Sequence, residues 1–368
     1  MSPIPIPITD DAALAAAAAR FAAAPRLALD TEFMRERTYY AELAFVQVAD
    51  ADGVALIDPL AGVGRAGLAA LLGVPGQTKV LHAARQDIEV LLPVTGAPLA
   101  PVLDTQLAAA LLGRAPQVGY GDLIAAELGV SLEKSQARTD WTRRPLSQAQ
   151  LAYAADDVRF LLPLAARLEE RLAALGRLAW FHEDTALLAD PGLYRIEPGD
   201  AWQRFKAIET LPPREQLRLR ALAAWREARA VRRNLPRGWV LTDDATRAIA
   251  RQPPANVAAL KALAVMPPGA ADKLGGEILA ALAEAAALPL EGIVQRSDTR
   301  PGAEERERTR RLGERLKQAA AALAIAPEVL APQRELRRLA RGEAVDAVLR
   351  GWRLAEVGPL LSDELARG

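Results

Sequence analysis

Three stretches of the chain carry residues whose types and spacing could do chemistry. In LALDTEF, Asp30 and Glu32 stand two apart on a predicted strand. The period of two points both carboxylates to one face, while Leu27, Leu29, Thr31 and Phe33 take the other. Two like charges side by side repel, and a cation between them removes that cost. The alternative is an exposed strand edge with ordinary acids. In VLHAARQDIEVL a short strand ends at His82 and a helix carries Asp87 in its first turns, where the helix dipole alone also favours an acid. In SQAQLAYAADDVRFLLPL, Ser147 is the expected N-cap, and Tyr153 and Asp157 stand four apart on one helix face. Asp156 and Asp157 cannot both point the same way. Asp157, in register with Tyr153, is the functional candidate, and Asp156 reads as a solvated acid.

The rest of the composition narrows the chemistry. Cysteine is absent, which removes disulfides, thiolate nucleophiles and thiolate-bound zinc. Only two histidines occur, His82 and His182, too few for a histidine-rich metal site. A metal would be held by carboxylate oxygens, the donors that suit Mg²⁺ or Mn²⁺. Residues 62–67, GVGRAG, have the spacing of a dinucleotide fingerprint. Pro59, Leu60 and Ala61 separate those glycines from the preceding strand, however, so no nucleotide cofactor is expected. A phosphate-binding G-x-x-x-x-G-K-[ST] loop is also missing. The amino terminus, MSPIPIPITDD, lacks a basic segment followed by an apolar one. No run of about 18 uncharged apolar residues is present. The expectation is a cytoplasmic protein with no membrane partner.

Several elements must bring the acids together. Residues 26–33, 43–49, 53–58, 78–82 and 101–104 read as strands, with an Asp50–Gly53 turn predicting a hairpin. Helical patterns occupy 10–23, 66–72, 85–92, 105–112, 121–128 and 147–175. Strands first, then strands alternating with helices, predict an α/β domain with a mixed sheet covered by helices. Beyond about residue 200 the strand signals stop. Helical segments at 199–208, 213–233, 243–250, 255–263 and 269–286 are separated by proline and glycine breaks. EGIVQRSDTRPGAEE (291–305) reads as a linker, and helices resume at 304–324, 327–340, 343–350 and 359–366. With 368 residues the chain exceeds the roughly 250–300 at which one core stops growing. Three domains are expected, at 1–195, 205–290 and 300–368, the last two all-α bundles. Charge divides along the same line, net −6 over 1–195 and +6 over 196–368. That division fits a metal site coupled to a phosphate-binding surface, or ordinary variation in surface charge.

Taken together, the three acidic stretches resemble the ribonuclease D group of 3′→5′ exonucleases with four acidic residues and a tyrosine. The match falls on Asp30 and Glu32, then Asp87, then Tyr153 and Asp157, in order and spacing. EKSQARTDWTRRPLS (133–147) and the DTQ at 104–106 also look like that group. The resemblance implies a ribonuclease-H-like fold and two divalent ions, Mg²⁺ or Mn²⁺, held by Asp30, Glu32, Asp87 and Asp157. It implies that Tyr153 orients the attacking water. A phenol with an ordinary pKa near 10 is a weak base, so positioning is expected rather than proton abstraction. Phe33 and Met34, directly after Glu32, are candidates to pack on a terminal base. Trp141, Arg143 and Arg144 are candidates for stacking and phosphate binding. His82 is either a substrate contact or a satisfied, partly buried histidine.

Residues 213–285 resemble an HRDC domain, the helical module shared by helicases and ribonuclease D. Within it Arg226, Arg229, Arg232, Arg233 and Arg237 surround Trp225 and Trp239. Arginine suits phosphate and tryptophan can stack on bases, though Trp225 reads as a core anchor. Residues 304–368 resemble a second, divergent copy. The family resemblance implies trimming of RNA 3′ ends one nucleotide at a time, transfer-RNA precursors among the substrates. The catalytic motifs alone do not separate RNA from DNA, and a non-catalytic nucleic-acid-binding scaffold is the third reading.

Overall fold

The computed structural model describes residues 3–133, 136, 139–290 and 302–367. Most of the expected linker, 291–301, and Lys134, Ser135, Ala137 and Arg138 of the 133–147 stretch lie outside the described residues. Two compact units form. One gathers residues up to Met34, Leu43–Leu193 and the carboxy-terminal helices; the other gathers Arg35–Glu42 and the helices after Tyr194.

In the first unit, α1 (Asp11–Phe21) begins where Asp10 caps the Ala13 N–H at 2.8 Å. Five strands follow in the sheet order β3-β2-β1-β4-β5. They are β1 (Arg26–Met34), β2 (Glu42–Ala49), β3 (Val54–Ile57), β4 (Thr78–Leu81) and β5 (Val102–Asp104). The strands β2 and β3 are antiparallel, with Val46 opposite Ile57. Asp50 builds their turn by accepting the Asp52 and Gly53 N–H groups at 3.0 Å. β1 runs parallel to β4, and β4 to β5, so the sheet is mixed as expected. β1 is central and covered on both faces. Leu27, Ala28 and Leu29 are therefore all fully buried, an apolar run rather than an alternation.

The covering helices are α2 (Arg65–Leu72), α3 (Arg85–Thr95), α4 (Thr105–Leu111), α5 (Tyr120–Leu128), α6 (Gln148–Arg159), α7 (Leu161–Ala174) and α8 (Leu178–Ala186). A reciprocal capping box of Ser147 and Gln150 starts α6. The helix predicted over 147–175 is broken at Phe160. Pro163 has no N–H to return to the Arg159 carbonyl and its ring crowds that position. The sequence pattern also contained no prediction for α8.

The second unit contains α9 (Pro213–Arg233), α10 (Arg237–Val240), α11 (Asp243–Arg251), α12 (Val257–Ala262) and α13 (Ala270–Ala287). Residues 198–204 form a 3₁₀ turn instead of the predicted α-helix. Leu219, Leu222, Ile249 and Ile278 fill the centre of this bundle at 0% exposure. Tyr39, from the excursion between β1 and β2, packs in the same unit. Its hydroxyl donates to Glu227, and the Arg237 guanidinium lies 4.5 Å above its ring. Arg237 also binds Glu227 Oε1 at 2.7 Å. The Glu227 side chain is 1% exposed and that of Arg237 26%. Arg237→Ala would leave a buried carboxylate without its cation. The expected loss is about 2 kcal/mol, below the roughly 3–5 kcal/mol of a fully buried pair because Arg237 is partly solvated. A denaturant melt of the variant checks this; an unchanged midpoint would show that the ion pair is not needed.

The carboxy-terminal helices are α14 (Ala303–Leu323), α15 (Pro327–Leu330), α16 (Gln333–Ala340), α17 (Val345–Val348) and α18 (Gly351–Ala366). Pro332 separates α15 from α16, where the sequence pattern predicted one helix over 327–340. Leu312, Leu316, Leu339 and Leu361 share a single core cluster with Leu164, Leu168 and Phe181 of α7 and α8. Buried Arg177 donates to the free carbonyls Leu111 O at 2.8 Å and Leu323 O at 2.5 Å, capping α4 and α14 together. Trp180 stacks on Trp352 at 4.5 Å, and Glu183 accepts the Trp352 N–H. No helix among the described residues is long and apolar enough to cross a membrane.

Candidate active site

The central strand β1 delivers Asp30 and Glu32 to one face of the sheet, and α6 brings Asp157 to them. One carboxylate oxygen from each of the three lies within 4.8 Å of the other two. Asp87 is not in that set. It sits in the first turn of α3, is 6% exposed, and accepts a 2.5 Å hydrogen bond from the Thr31 hydroxyl. The turn leading into α3 is fastened by Asp104. One oxygen of that carboxylate accepts Ala83 N–H at 2.9 Å and Gln106 N–H at 2.8 Å; the other accepts Ala84 N–H at 2.9 Å. Ala83 takes a left-handed φ of 59°, a strained conformation for a residue with a Cβ that these bonds hold in place.

Burial and mutual repulsion act in the same direction on these acids. Burial first, then the charges of Asp157 and Asp87, push Glu32 up to about 9. Burial lifts Asp157 to about 8 against the hydrogen bond from Tyr153, which lowers it. Burial likewise raises Asp87 to about 7, opposed by the Thr31 hydroxyl. Asp30 is raised well above the usual range by burial and then by Asp87, Asp157 and Glu32. The four groups cannot all ionise near neutrality without added positive charge. The cluster holds only oxygen donors, close enough to share an ion, which fits a hard divalent cation. Tyr153 is held as a neutral phenol by burial and by the neighbouring carboxylates, and its hydroxyl bonds to Asp157.

The other candidate residues divide. Phe33 and Met34 are half-buried beside Glu32, and Arg143 is exposed. Trp141 is corrected to a core residue. It is 1% exposed, stacked on Phe45 at 6.1 Å and tilted against Tyr153 at 6.2 Å, so no ring face is left for a base. It supports the catalytic-tyrosine candidate from behind. Arg144 is also committed internally. It forms a two-pronged pair with Asp58 at 2.6 Å and donates to Trp141 O and Ala44 O. His82 has both ring nitrogens engaged, with Thr105 Oγ1 at 2.9 Å and Val118 O at 3.0 Å, and burial lowers its pKa. It is the satisfied histidine of the two readings. In the second unit Trp225 donates to Glu277 at 2.8 Å, whereas Trp239 is 63% exposed. The supporting roles of Thr31 and Asp104 were not assigned from sequence, although Asp104 belongs to the DTQ stretch that carried part of the resemblance.

Comparison with known proteins adds independent findings. A family profile described as 3′-5′ exonuclease matches residues 5–173, and one described as HRDC domain matches 215–282. Ribonuclease D of Acidiphilium cryptum is 44% identical over 289 residues, 78% of this chain and 74% of its own length. Ribonuclease D of Gluconacetobacter diazotrophicus is 40% identical over 97% of this chain and 91% of its own length. The crystal structure of Escherichia coli RNase D superposes with a TM-score of 0.87 at 32% identity, covering 98% of both chains. That structure is described as an exoribonuclease involved in structured RNA processing.

Proposed function

The chain belongs to the ribonuclease D family of 3′→5′ exoribonucleases, and we propose that it trims structured RNA, transfer-RNA precursors among them, one nucleotide at a time at the acidic cluster. The convergence of Asp30, Glu32 and Asp157 oxygens within 4.8 Å is the observation that carries this reading. Asp87, set beside the three on Thr31, would be the fourth acid to hold Mg²⁺ or Mn²⁺. Two such ions, when bound, supply positive charge to the attacking and leaving oxygens of an in-line phosphodiester displacement. The chain's own groups do the rest. Tyr153, neutral and bonded to Asp157, orients the water that attacks the last phosphorus; it does not take its proton. Trp141 and Phe45 keep that tyrosine in place. Phe33 and Met34 offer apolar surface to the 3′-terminal base beside Glu32, and exposed Arg143 offers charge to a phosphate. In the second unit, exposed Trp239 offers a stacking surface and Arg232 and Arg233 offer cations for RNA.

Incubation of the protein with a 3′-extended, tRNA-like RNA and with a DNA of the same sequence tests the reading. Single nucleotides are expected from the RNA in Mg²⁺ and none in EDTA. Equal release from the DNA would defeat the assignment to RNA. Absence of release with every divalent cation would leave a nucleic-acid-binding scaffold.

A further inference from the structure

Tyr120, the first residue of α5, stands outside the set of residues read from the motifs. Its hydroxyl donates to the main-chain carbonyl of Asp156 at 3.2 Å. That carbonyl lies in the last turn of α6, one residue before Asp157. In an unbroken helix it would receive the N–H of Phe160. Here the Phe160 N–H is directed to Val158 O, and the Asp156 carbonyl accepts from the Tyr120 hydroxyl instead. The phenol therefore occupies the gap in the ladder where α6 ends and α7 begins, and insertion of a side chain at such a point is a known cause of a kink.

The turn that presents Tyr120 is itself tied down. Val118 O accepts from His82 Nε2 and from Gln106 Nε2, each at 3.0 Å. With Nε2 donating to Val118 O, the single proton of the Thr105 hydroxyl goes to His82 Nδ1 at 2.9 Å, and Leu81 O lies 3.1 Å from the same Oγ1. The ring of Tyr120 rests 5.6 Å from that of His82. A continuous run of contacts thus leads from the end of β4 to the junction of α6 and α7.

We propose that Tyr120 is a positioning residue, whose hydroxyl occupies the Asp156 carbonyl at the broken turn and so sets the direction of the Asp157 carboxylate and of Tyr153 one turn earlier. The inference rests on Asp157 acting as a cation ligand. It also gives His82 and Gln106 their part, which is to hold the turn that presents the tyrosine.

Tyr120→Phe in the full chain removes the hydroxyl and keeps the ring. Partners that orient metal ligands from outside typically cost about 10–100-fold in metal affinity or activity when lost. The expected result is a fall of about tenfold in kcat or in Mn²⁺ affinity measured without RNA, with KM for RNA little changed. Wild-type kcat together with wild-type Mn²⁺ affinity in the variant would overturn the proposal, whatever its melting temperature. The Mn²⁺ titration needs no turnover, so it decides the matter even if the wild-type protein cleaves no RNA; that failure would count against the nuclease reading alone. A wild-type protein that binds no Mn²⁺ would overturn the role of Asp157 and this proposal with it. Should Tyr120→Phe not fold, Gln106→Leu loosens Val118 and leaves Tyr120 intact. A smaller loss in the same two quantities is expected, and wild-type values would again overturn the proposal.

Discussion

Asp30→Asn abolishes hydrolysis, lowering kcat by about 10³-fold or more, while RNA affinity stays within about threefold. The magnitude follows from losing several kcal/mol of charge stabilisation that only the transition state uses in full. Asparagine has the size of a protonated aspartate, so the β1 backbone is unaffected. The same variant has a second signature, which a merely damaged protein would not show. Asp30 is forced toward its neutral form by burial and by Asp87, Asp157 and Glu32. Asparagine is neutral without taking up a proton, so the cost of protonating residue 30 on folding at pH 8 is removed. The metal-free variant is therefore expected to melt above the metal-free wild type at pH 8, and to gain less on addition of Mg²⁺. Single-turnover cleavage, filter binding and thermal melts together test the assignment. Wild-type turnover would remove Asp30 from the site, and a lowered metal-free melting temperature would remove the electrostatic account.

Metal affinity is expected to depend steeply on pH, because protons and cations compete for the same oxygens. Without cations the folded protein holds Glu32 near 9 and Asp157 near 8, above the values these side chains have in an unfolded chain. The folded state then binds more protons than the unfolded one. These groups favour the folded state fully below about pH 4. That contribution declines as pH rises and is gone above about 9. Stability of the metal-free protein should accordingly fall from pH 5 to pH 9, and Mg²⁺ or Mn²⁺ should restore more of it at the alkaline end. If each ion displaces one proton, the half-saturating concentration drops about tenfold per pH unit below pH 8. Calorimetric titration with Mn²⁺ at pH 6, 7 and 8 provides the measurement. An affinity independent of pH would mean that the carboxylates are already ionised, and that the crowding of Asp30, Glu32 and Asp157 has been misread.

The architecture was legible where local pattern and environment agree. The five strands and the Asp50–Gly53 hairpin follow from alternation and turn chemistry. So does the switch to helices after residue 200. Where two tendencies compete, the sequence pattern was ambiguous. The apolar stripe from Leu151 to Leu162 runs on through the junction of α6 and α7, yet Pro163 and the Tyr120 hydroxyl interrupt the hydrogen-bond ladder there. Trp141 has the composition of a base-stacking residue. Its burial against Phe45 depends on β2, a hundred residues away, and no local pattern carries that information.

The sequence by itself determined which chemistry was open to this protein. With no cysteine and two histidines, any catalytic metal would have to rest on carboxylate oxygens, and the two-residue spacing of Asp30 and Glu32 fixed them to one face of a strand. Only the tertiary structure decided which acids meet. It placed Asp157 with that pair, held Asp87 to one side on Thr31, and turned His82 inward as a support. It also joined the carboxy-terminal helices to the core of the first unit through Arg177, Trp180 and Trp352. Side-chain direction follows from backbone periodicity and is local. Distance between segments follows from packing and from the pairing of distant polar groups, which the order of residues along the chain does not express.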